Sequence, residues 1–407
     1  MPDPDLLHFP DVERHSLALV RLLGESPPPV FIGERAIIAN RYSQMFGALE
    51  RLWPEYAIAY SVKTNYQVAQ SGLLKELGAW AEVVSGREYQ MAKDLGYSGA
   101  NIIFNGPWKT DGDLRTALAD GAAINVNDLD ELKRLERIAT SMHSRFPIGI
   151  RASAQFDGLP RSRFGFSLDD PNIDSPNGCE AARAVAAIRR SSSLSLAGLH
   201  MHLGGEIDDP RHYSAACRSL TAFVRQLSSD ERAAIAYIDL GGGFPAHATM
   251  PYGRTTWDPR PIGEYLEAIV AELKEAFPGW KRPRLIVEPG HYLVNDGIVL
   301  VSQVVSVRSV GETQAITCNA TISMLPALGH RPAIVRPFSH DLRLIDAPSR
   351  PSLVLGASCR EDDLLFEGDF PAVTPGDYLV YYSAGAYNSS LSPNFIFATP
   401  PLRFLDD

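Results

Sequence analysis

A lysine lies in the middle of an apolar, β-branched stretch with the composition of a buried strand, AYSVKTNY at residues 59–66. Burying an ammonium group costs free energy unless the group is paired, neutralised or used chemically. A desolvated lysine has a lowered pKa and attacks carbonyl carbons, as Schiff-base chemistry requires. The alternative is a buried stem whose amine pairs with an acid, and Lys63 alone leaves both interpretations open.

Two other strand-like runs end in residues that could bind charged groups. Gly241, Gly242 and Gly243 follow AYIDL and expose consecutive backbone N–H groups, which together can hold a phosphate. Glu288 follows RLIV, so its carboxylate is expected at the end of a buried strand. A tight turn would also explain the glycines, and an ion pair with an arginine would also explain Glu288.

A pair of histidines, His200 and His202, stands in the segment HMHLGG. Histidines two residues apart on a strand share a face and could bind a metal ion. The sequence offers no third ligand at a convincing spacing, so we expect no metal. The alternative is one packed histidine beside a second structural one.

The C-terminal part of the chain holds two more groups that could react or bind. Cys359 lies among charges in GASCREDD, where Arg360 favours a thiolate or a shared anion site. Tyr387 is framed by small residues in AGAYNSS, from which its hydroxyl could reach a ligand. An exposed charged turn beside a structural cysteine would equally explain the first of these segments.

Most of these residues follow strands of a repeating pattern between about residues 56 and 290. Short apolar runs alternate there with amphipathic helical stretches, as in parallel sheets whose crossovers are helices. Eight such units fit a closed (β/α)8 barrel, which keeps its catalytic groups at the C-terminal ends of the strands. A doubly wound sheet is the alternative, but no G-x-G-x-x-G follows the first strand.

After the barrel the pattern changes to β-branched and aromatic runs separated by Gly, Pro, Asn and Asp. This composition predicts an all-β module in which NFIFATP is one strand and SPPPVFIG, near the N-terminus, supplies another. We therefore expect an α/β barrel, TIM-like, over 34–292. A β-sandwich or barrel-like domain is expected from 1–33 together with 293–407.

The composition limits the partners and the compartment. The formal net charge is −10 and no run of Lys or Arg interrupts the acidity, so nucleic acid and membranes are not expected as partners. No apolar run approaches the roughly 20 residues of a membrane helix, and the first residues lack a signal-peptide pattern. The four cysteines are widely spaced, so we expect a cytoplasmic protein.

The order of these segments resembles the ornithine/diaminopimelate decarboxylase family, which has the alanine-racemase-like fold and uses pyridoxal 5′-phosphate. YSVKTN resembles the family's lysine motif, HMHLGG its H-x-H-x-G-S segment and DLGGGFP its phosphate loop. EPGH resembles E-P-G-R, CREDD resembles C-x-x-x-D, and AGAYNSSLSPNF resembles the G-A-Y segment. RSRFGF resembles a Lys-Phe-Gly element, with Arg163 in the basic position.

The resemblance implies a role for each matched residue. Lys63 would carry the cofactor covalently, His202 would stack on its ring, and Glu288 would pair with its pyridine nitrogen. Cys359 would reprotonate Cα from the neighbouring subunit, which implies a head-to-tail homodimer with active sites at the interface. The other implied cofactor-binding residues are Arg151, Gly205, Gly241, Gly242, Gly243 and Tyr387.

Departures from the family pattern concern the substrate. His291 stands where E-P-G-R has arginine, and the arginine that diaminopimelate decarboxylases carry before Pro-Ala-Leu is missing from Met324–Leu328. Arg360 replaces the acid that follows the cysteine, and Arg331 falls near another acidic position of the family. Exchanging acids for arginines inverts the charge that a pocket prefers.

We therefore expect a small-molecule substrate with an anionic distal group, contacted by Arg360, His291, Arg331 and Asp363. Decarboxylases of citrate-siderophore assembly and of microcin C maturation act on such acidic conjugates, and the KTNY and NGPWK segments resemble that group. The alternatives are a diaminopimelate or basic amino acid decarboxylase, an amino-acid racemase, and a non-catalytic homologue that binds a partner. Racemases usually use a tyrosine in place of Cys-x-x-x-Asp, and non-catalytic homologues typically lose cofactor residues.

Overall fold

The computed structural model of the chain describes residues 9–169, 179–247, 259–278, 282–329 and 334–405. The strands in this part are β1 (Val30–Gly33), β2 (Tyr56–Ser61), β3 (Trp80–Val83), β4 (Ile102–Phe104), β5 (Ala123–Val126), β6 (Phe146–Ser153), β7 (Phe166–Ser167), β8 (Leu194–His200), β9 (Tyr237–Asp239), β10 (Arg284–Val287), β11 (Ile298–Val310), β12 (Thr313–Cys318), β13 (Val335–Phe338), β14 (Ser349–Leu355), β15 (Leu364–Pro371), β16 (Tyr378–Tyr381) and β17 (Leu402–Phe404). The α-helices are α1 (Ser16–Glu25), α2 (Arg35–Leu52), α3 (Val68–Glu76), α4 (Gly86–Asp94), α5 (Asp111–Asp120), α6 (Leu129–Ser141), α7 (Glu180–Arg190), α8 (Arg211–Gln226), α9 (Ser229–Ala234), α10 (Ile262–Ala276) and α11 (His291–Val294).

Eight parallel strands of the described chain form a closed barrel. Their order is β5-β4-β3-β2-β10-β9-β8-β6, and β5 pairs with β6 to close the ring. β7 adds to the outer side of β6. Because the strands are parallel, all of their C-terminal ends meet at one rim, where a barrel places its functional side chains. The predicted barrel is confirmed.

Side-chain caps fix where several of the barrel helices begin. Thr110 and Asp113 form a capping box at the start of α5, and the Asp128 side chain accepts from two backbone N–H groups at the start of α6. These acceptors satisfy amide groups that have no partner within the helix. The helices therefore start directly after the rim of the barrel, which keeps the βα loops short.

The second sheet has the strand order β13-β16-β11-β12-β14-β15, and β1 pairs antiparallel with β11. The strand predicted in SPPPVFIG is therefore present, as β1. β17 completes the sheet by pairing in parallel with β1. A β-sheet domain thus follows the barrel in sequence, as predicted, and the domain bounds 34–292 and 1–33 with 293–407 stay a prediction.

One predicted strand is absent. NFIFATP lies in a turn, and within it Asn394 and Ile396 have φ of 53° and 64°. Left-handed backbone of this kind is incompatible with a strand, so the prediction from the apolar pattern was wrong.

In the described part of the chain, no helix combines the length and apolarity needed to cross a bilayer.

Backbone and side-chain hydrogen bonds join the sheet domain to the rim of the barrel. Asn65 donates through Nδ2 to the Gly385 carbonyl at 2.9 Å, and the Tyr387 N–H donates to the Thr64 carbonyl at 2.9 Å. Ser389 donates through Oγ to Asn65 Oδ1 at 2.9 Å. The turn that carries Lys63 is therefore held by the C-terminal part of the chain.

Candidate active site

Lys63 lies in a short 3-10 turn, Val62–Thr64, that directly follows β2. Its Nζ donates to Glu82 Oε2 at 2.5 Å and to Ser61 Oγ at 2.6 Å. Glu82 comes from β3 and its side chain is 1 % exposed, whereas the Lys63 side chain is 32 % exposed. The amine is thus anchored by a buried carboxylate while the lysine still reaches open space.

The expected direction of the Lys63 pKa was wrong for the free amine. Burial alone lowers this pKa, but the charges of Glu82, Tyr387 and Glu288 outweigh burial and raise it above its ordinary value. The sequence suggested an ammonium without a partner, whereas in the structure the Lys63 ammonium is paired with Glu82. The Lys63 amine is therefore held as an ammonium beside Glu82.

A chain of amides links the two buried acids of the barrel. Asn105 Nδ2 donates to Glu288 Oε1 at 2.5 Å and to Glu82 Oε1 at 3.1 Å. Asn125 Nδ2 donates to Asn105 Oδ1 at 2.9 Å, and the Tyr237 hydroxyl donates to Asn125 Oδ1 at 2.7 Å. This network fixes the orientation of both carboxylates before any ligand binds.

His202 is a neutral ring beside the glycine loop. The Gly242 N–H donates to its Nδ1 at 3.1 Å, so that nitrogen carries no proton. Burial, with the nearby charges of Arg151 and Lys63, lowers the pKa of His202 to about 3. A neutral imidazole at this position can stack on an aromatic ring.

The three glycines after β9 have no room for side chains. A Cβ at Gly241 would lie 2.7 Å from His202 Nδ1, and one at Gly242 would lie 2.3 Å from the Glu288 carbonyl oxygen. Gly243 has φ of 95°, and its Cβ would lie 2.3 Å from the Gly204 carbonyl oxygen. Only glycine fits at these three positions, which form a tight cradle, whereas a Cβ at Gly205 would meet open space.

Two more predicted residues flank this cradle. Tyr387 has φ of 59° and packs edge-on against His291, with ring centroids 6.3 Å apart. His291 is buried, and its Nδ1 lies 3.2 Å from Glu206 Oε1. The expected arginine is thus replaced by a histidine beside a carboxylate, a pair that the motif comparison had not revealed.

Arg151 at β6 brings a buried cation to the same rim. Its guanidinium carbon lies 4.7 Å from the centre of the Phe164 ring, and that of Arg163 lies 4.4 Å from the same ring. Burial lowers the pKa of Arg151 below its ordinary value, and the carboxylates of Glu288 and Glu82 oppose that shift. Arg151 therefore balances part of the negative charge of the barrel.

These features fit pyridoxal 5′-phosphate. An anchored lysine that reaches open space, a neutral ring, a buried carboxylate and a cradle without side chains match the groups that this cofactor needs. In a comparison with protein families, residues 36–295 match the pyridoxal binding domain of the pyridoxal-dependent decarboxylases. The chain belongs to this family.

Curated relatives of this decarboxylase cover most of its length. It is 26 % identical to the diaminopimelate decarboxylase of Aquifex aeolicus, over 88 % of this chain and 82 % of that protein. It is 27 % identical to the diaminopimelate decarboxylase of Pseudomonas aeruginosa, over 96 % of this chain and 91 % of that protein.

Solved structures share the fold of this decarboxylase. Diaminopimelate decarboxylase from Methanocaldococcus jannaschii superposes with a TM-score of 0.82 at 22 % identity, covering 95 % of this chain and 88 % of that one. Lysine decarboxylase from Selenomonas ruminantium superposes with a TM-score of 0.77 at 20 % identity, covering 95 % of each chain. The predicted fold and cofactor are confirmed, and the enzyme is a pyridoxal phosphate-dependent carboxy-lyase that acts on an amino acid.

The decarboxylase holds Asp363 inside the loop that carries Cys359. Asp363 is 4 % exposed, and its oxygens accept from the backbone N–H of Ile322 at 2.7 Å and of Ser358 at 2.9 Å. One oxygen thus accepts from within the loop and the other from Ile322 outside it, and the predicted substrate contact by Asp363 stays a prediction. Asp363 fixes the position of Cys359, which is exposed.

Replacing Asp363 by asparagine is expected to destabilise the decarboxylase by ~1–3 kcal/mol, because an amide NH2 cannot accept a backbone N–H. The measurement is thermal unfolding, together with the rate of CO2 release. The exposed neighbour Glu361 provides a matched control, since Glu361→Gln removes one charge from the same loop and is expected to have no effect on unfolding. Equal stability of the two variants would contradict this role.

Arg360 lies on the surface of the same loop. Its Nε and Nη2 donate to Asp362 at 2.9 and 2.6 Å, which leaves Nη1 without a partner among the described residues. In the described part of the chain, no hydrogen bond or ion pair joins Cys359 or Arg360 to the cluster around Lys63. Arg331, predicted near the substrate, lies outside the described residues, and the other roles predicted for single residues stay predictions.

Sequence reasoning missed several residues of the site, among them Glu82, Asn105, Asp239 and Glu206. Three of them occupy the same place as the predicted residues, at the C-terminal end of a barrel strand. A polar residue at the end of an apolar run, as in IIFN and YID, or inside one, as in AEVV, was the available signal. Glu206 offered no comparable signal, because it follows the glycines of an irregular loop.

Proposed function

We propose that this decarboxylase removes the α-carboxylate of an amino acid or amino acid conjugate whose distal end is negatively charged. The observation that carries the proposal is the composition of the Cys359 loop. Both oxygens of the buried Asp363 accept backbone N–H groups. Arg360, by contrast, is exposed next to Cys359 and can contact a substrate. A guanidinium group recognises carboxylates and phosphates through paired hydrogen bonds.

Each predicted residue at the rim of the barrel has its own role in binding the cofactor. Lys63 is the covalent attachment point, and His202 packs on the ring. The phosphate would be bound by the backbone amides of Gly205 and Gly243 with Tyr387, since the amides of Gly241 and Gly242 donate to Asp239 and His202. The buried His291 lies beside Tyr387. These residues would hold the cofactor, whose chemistry would supply an acceptor for the electron pair left at Cα when CO2 leaves.

Glu288 and Arg151 set the charge around the ring. Glu288 would pair with the pyridine nitrogen as a carboxylate, since burial raises its pKa but the neighbouring His200, Asp239 and Lys63 outweigh burial and hold this pKa below the ordinary range. Asn105 prevents its Oε1 from turning away. Arg151, at the C-terminal part of β6, supplies a positive charge that interacts with Glu288, Glu82 and Asp239.

A homodimer brings the proton donor to the site. Cys359 is exposed and has no contact with the Lys63 cluster in the described residues of its own chain, so a partner subunit supplies it. Exposed apolar residues lie near the Lys63 turn, as a partner surface requires. They are Leu391, Phe395, Ile396 and Phe397, each between 40 and 58 % exposed.

The segment in which diaminopimelate decarboxylases carry an arginine before Pro-Ala-Leu has an apolar residue in this chain. The segment before Pro326 contains a buried methionine, Met324, which is 2 % exposed. Neighbouring backbone amides anchor this segment. The Ile322 N–H donates to Asp363, and the Ala327 N–H donates to Asn388 Oδ1 at 3.1 Å. Arg360 is therefore the candidate for binding a distal anion in place of that arginine.

The test is a panel of CO2-release assays on purified enzyme loaded with cofactor. We expect release from citryl conjugates of α,ω-diamino acids and from aminocarboxypropyl phosphates, the compounds suggested by siderophore and peptide-antibiotic biosynthesis. Lysine, ornithine and diaminopimelate are the comparison substrates. Faster release from these three would overturn the proposal and favour a diaminopimelate or basic amino acid decarboxylase, the function named for the curated relatives.

Replacing Arg360 by glutamate is expected to lower kcat/KM for an anionic substrate by roughly 10²-fold, since a repulsive charge replaces an attractive one. The same change should raise kcat/KM for lysine. Arg343 is a matched control, because it is exposed and pairs with Asp341 two residues away, as Arg360 pairs with Asp362. Parallel losses for both substrate classes would show that Arg360 does not select charge.

A further inference from the structure

A buried cluster lies behind the Glu288 carboxylate, at the C-terminal ends of three neighbouring strands. His200 ends β8, Asp239 ends β9 and Glu288 follows β10, and none is more than 3 % exposed. One nitrogen or oxygen atom from each side chain lies within 4.8 Å of those from the other two. The pairing of β9 with both β8 and β10 fixes this arrangement.

Asp239 has one satisfied oxygen and one that lacks a donor. Its Oδ1 accepts from the backbone N–H of Gly241 at 2.9 Å. Its Oδ2 is buried and accepts no hydrogen bond from any described residue. An ionised oxygen without a donor is costly inside a protein, whereas a protonated oxygen is itself a donor.

Among the buried carboxyl groups at this rim, Asp239 is the one without an ion-pair partner in the described part of the chain. Three carboxyl groups, those of Glu82, Asp239 and Glu288, share the rim with two permanent cations, Lys63 and Arg151. Lys63 pairs with Glu82, and His200 Nε2 lies 3.5 Å from Glu288 Oε2, whereas no ion pair among the described residues reaches Asp239. The titratable and charged groups that face Asp239 from the surrounding elements are Lys63, Glu82, Arg151, His200, His202, Tyr237 and Glu288.

We propose that Asp239 is a protonated carboxylic acid whose Oδ2–H faces Glu288 and His200, and that it is a positioning residue for Glu288. The neutral acid leaves the negative charge of the pair on Glu288. Burial and the neighbouring Glu288 raise the pKa of Asp239 well above its ordinary range, in agreement with this geometry. The role of Glu288 toward the cofactor rests on the proposed function, whereas the proton on Asp239 does not.

Asparagine at position 239 tests the proton directly, because it reproduces both hydrogen bonds of the neutral acid. Its Oδ1 accepts from Gly241 and its NH2 donates toward Glu288. In the full-length protein freed of cofactor, the infrared spectrum of wild type at neutral pH should contain the carbonyl band of a protonated carboxyl group. Asp239→Asn should lack this band and Glu288→Gln should keep it. A band lost in Glu288→Gln but kept in Asp239→Asn would assign the proton to Glu288 and overturn the proposal.

Thermal unfolding over a pH series gives a second readout. An acid whose folded pKa is raised loses stability as the pH rises from its unfolded value toward its folded one. Asparagine does not titrate, so the Tm of Asp239→Asn relative to wild type should increase by roughly 2 °C per pH unit between about pH 5 and 7. Asp239→Ala, which also removes the acceptor of the Gly241 N–H, should unfold at a lower temperature than Asp239→Asn at every pH.

A Tm for Asp239→Asn that falls relative to wild type as the pH rises would show an ionised Asp239 and overturn the proposal. Cofactor binding separates this outcome from a failure of the proposed function. If Glu288 meets the pyridine nitrogen, Glu288→Gln changes the absorbance spectrum of the bound cofactor while Asp239→Asn keeps that of wild type. An unchanged spectrum in Glu288→Gln would sink the role of Glu288 and leave the infrared assignment of Asp239 intact.

Discussion

Replacing Lys63 by alanine is expected to lower CO2 release to below about 0.1 % of wild type, because no other described lysine lies at the rim beside Glu82 and the glycine cradle. The visible absorbance of the covalently bound cofactor should disappear at the same time. Absorbance spectra after borohydride treatment and gel filtration measure the covalent link independently of catalysis.

The same substitution leaves the Glu82 carboxylate buried without its cation. Removing one partner of a buried pair destabilises a protein, here by ~2 kcal/mol because Lys63 is partly exposed. The double variant Lys63→Met with Glu82→Gln removes both charges and should regain stability without regaining the covalent link. If the double variant still bound the cofactor covalently, another lysine would be the attachment point.

Mixing two inactive variants is expected to restore activity if the site is shared between subunits. Cys359→Ala alone should slow turnover by about 10²-fold through the loss of a proton donor. In a heterodimer with Lys63→Ala, one of the two sites receives an intact Lys63 and the intact Cys359 of the other chain. Random exchange of subunits therefore predicts about a quarter of wild-type activity for an equal mixture.

The mixing experiment needs a step that exchanges subunits, such as brief exposure to mild denaturant followed by dialysis. Each variant treated alone is the control, and each should stay at its own low activity. A mixture that stays at the level of the controls, although heterodimers have formed, would place Cys359 and Lys63 in the same chain's site. Heterodimers can be counted by tagging one variant and isolating the tagged fraction.

The barrel and the main chemical groups could be predicted because their signals are local. Lys63, Glu288 and the triple glycine each follow an apolar run directly, so the end of a strand and the reactive residue are read together. Parallel strands then bring these ends to one rim without further information. The resemblance to a family added the cofactor, which spacing alone left open.

What escaped prediction depends on partners that are distant in sequence. The pKa of Lys63 is set by Glu82, which lies 19 residues away, and the assumption of an unpaired lysine reversed its direction. Asp363 matched a motif, but its oxygens are taken by Ser358 and by Ile322, 41 residues away. Local patterns identify which residues are reactive, and the tertiary contacts decide which of them are free to react.

The hydrogen bonds from Asn65 to Gly385 and from Tyr387 to Thr64 set an order of events during synthesis. The turn that carries Lys63 is made early on the ribosome, but two of its anchors are made more than 300 residues later. β1 likewise pairs with β17, a strand that is synthesised after the whole barrel. The barrel can form while translation continues, since domains fold as they emerge. The lysine turn, however, becomes rigid only when residues 385–389 have docked on it, so we expect cofactor binding to require this distant segment.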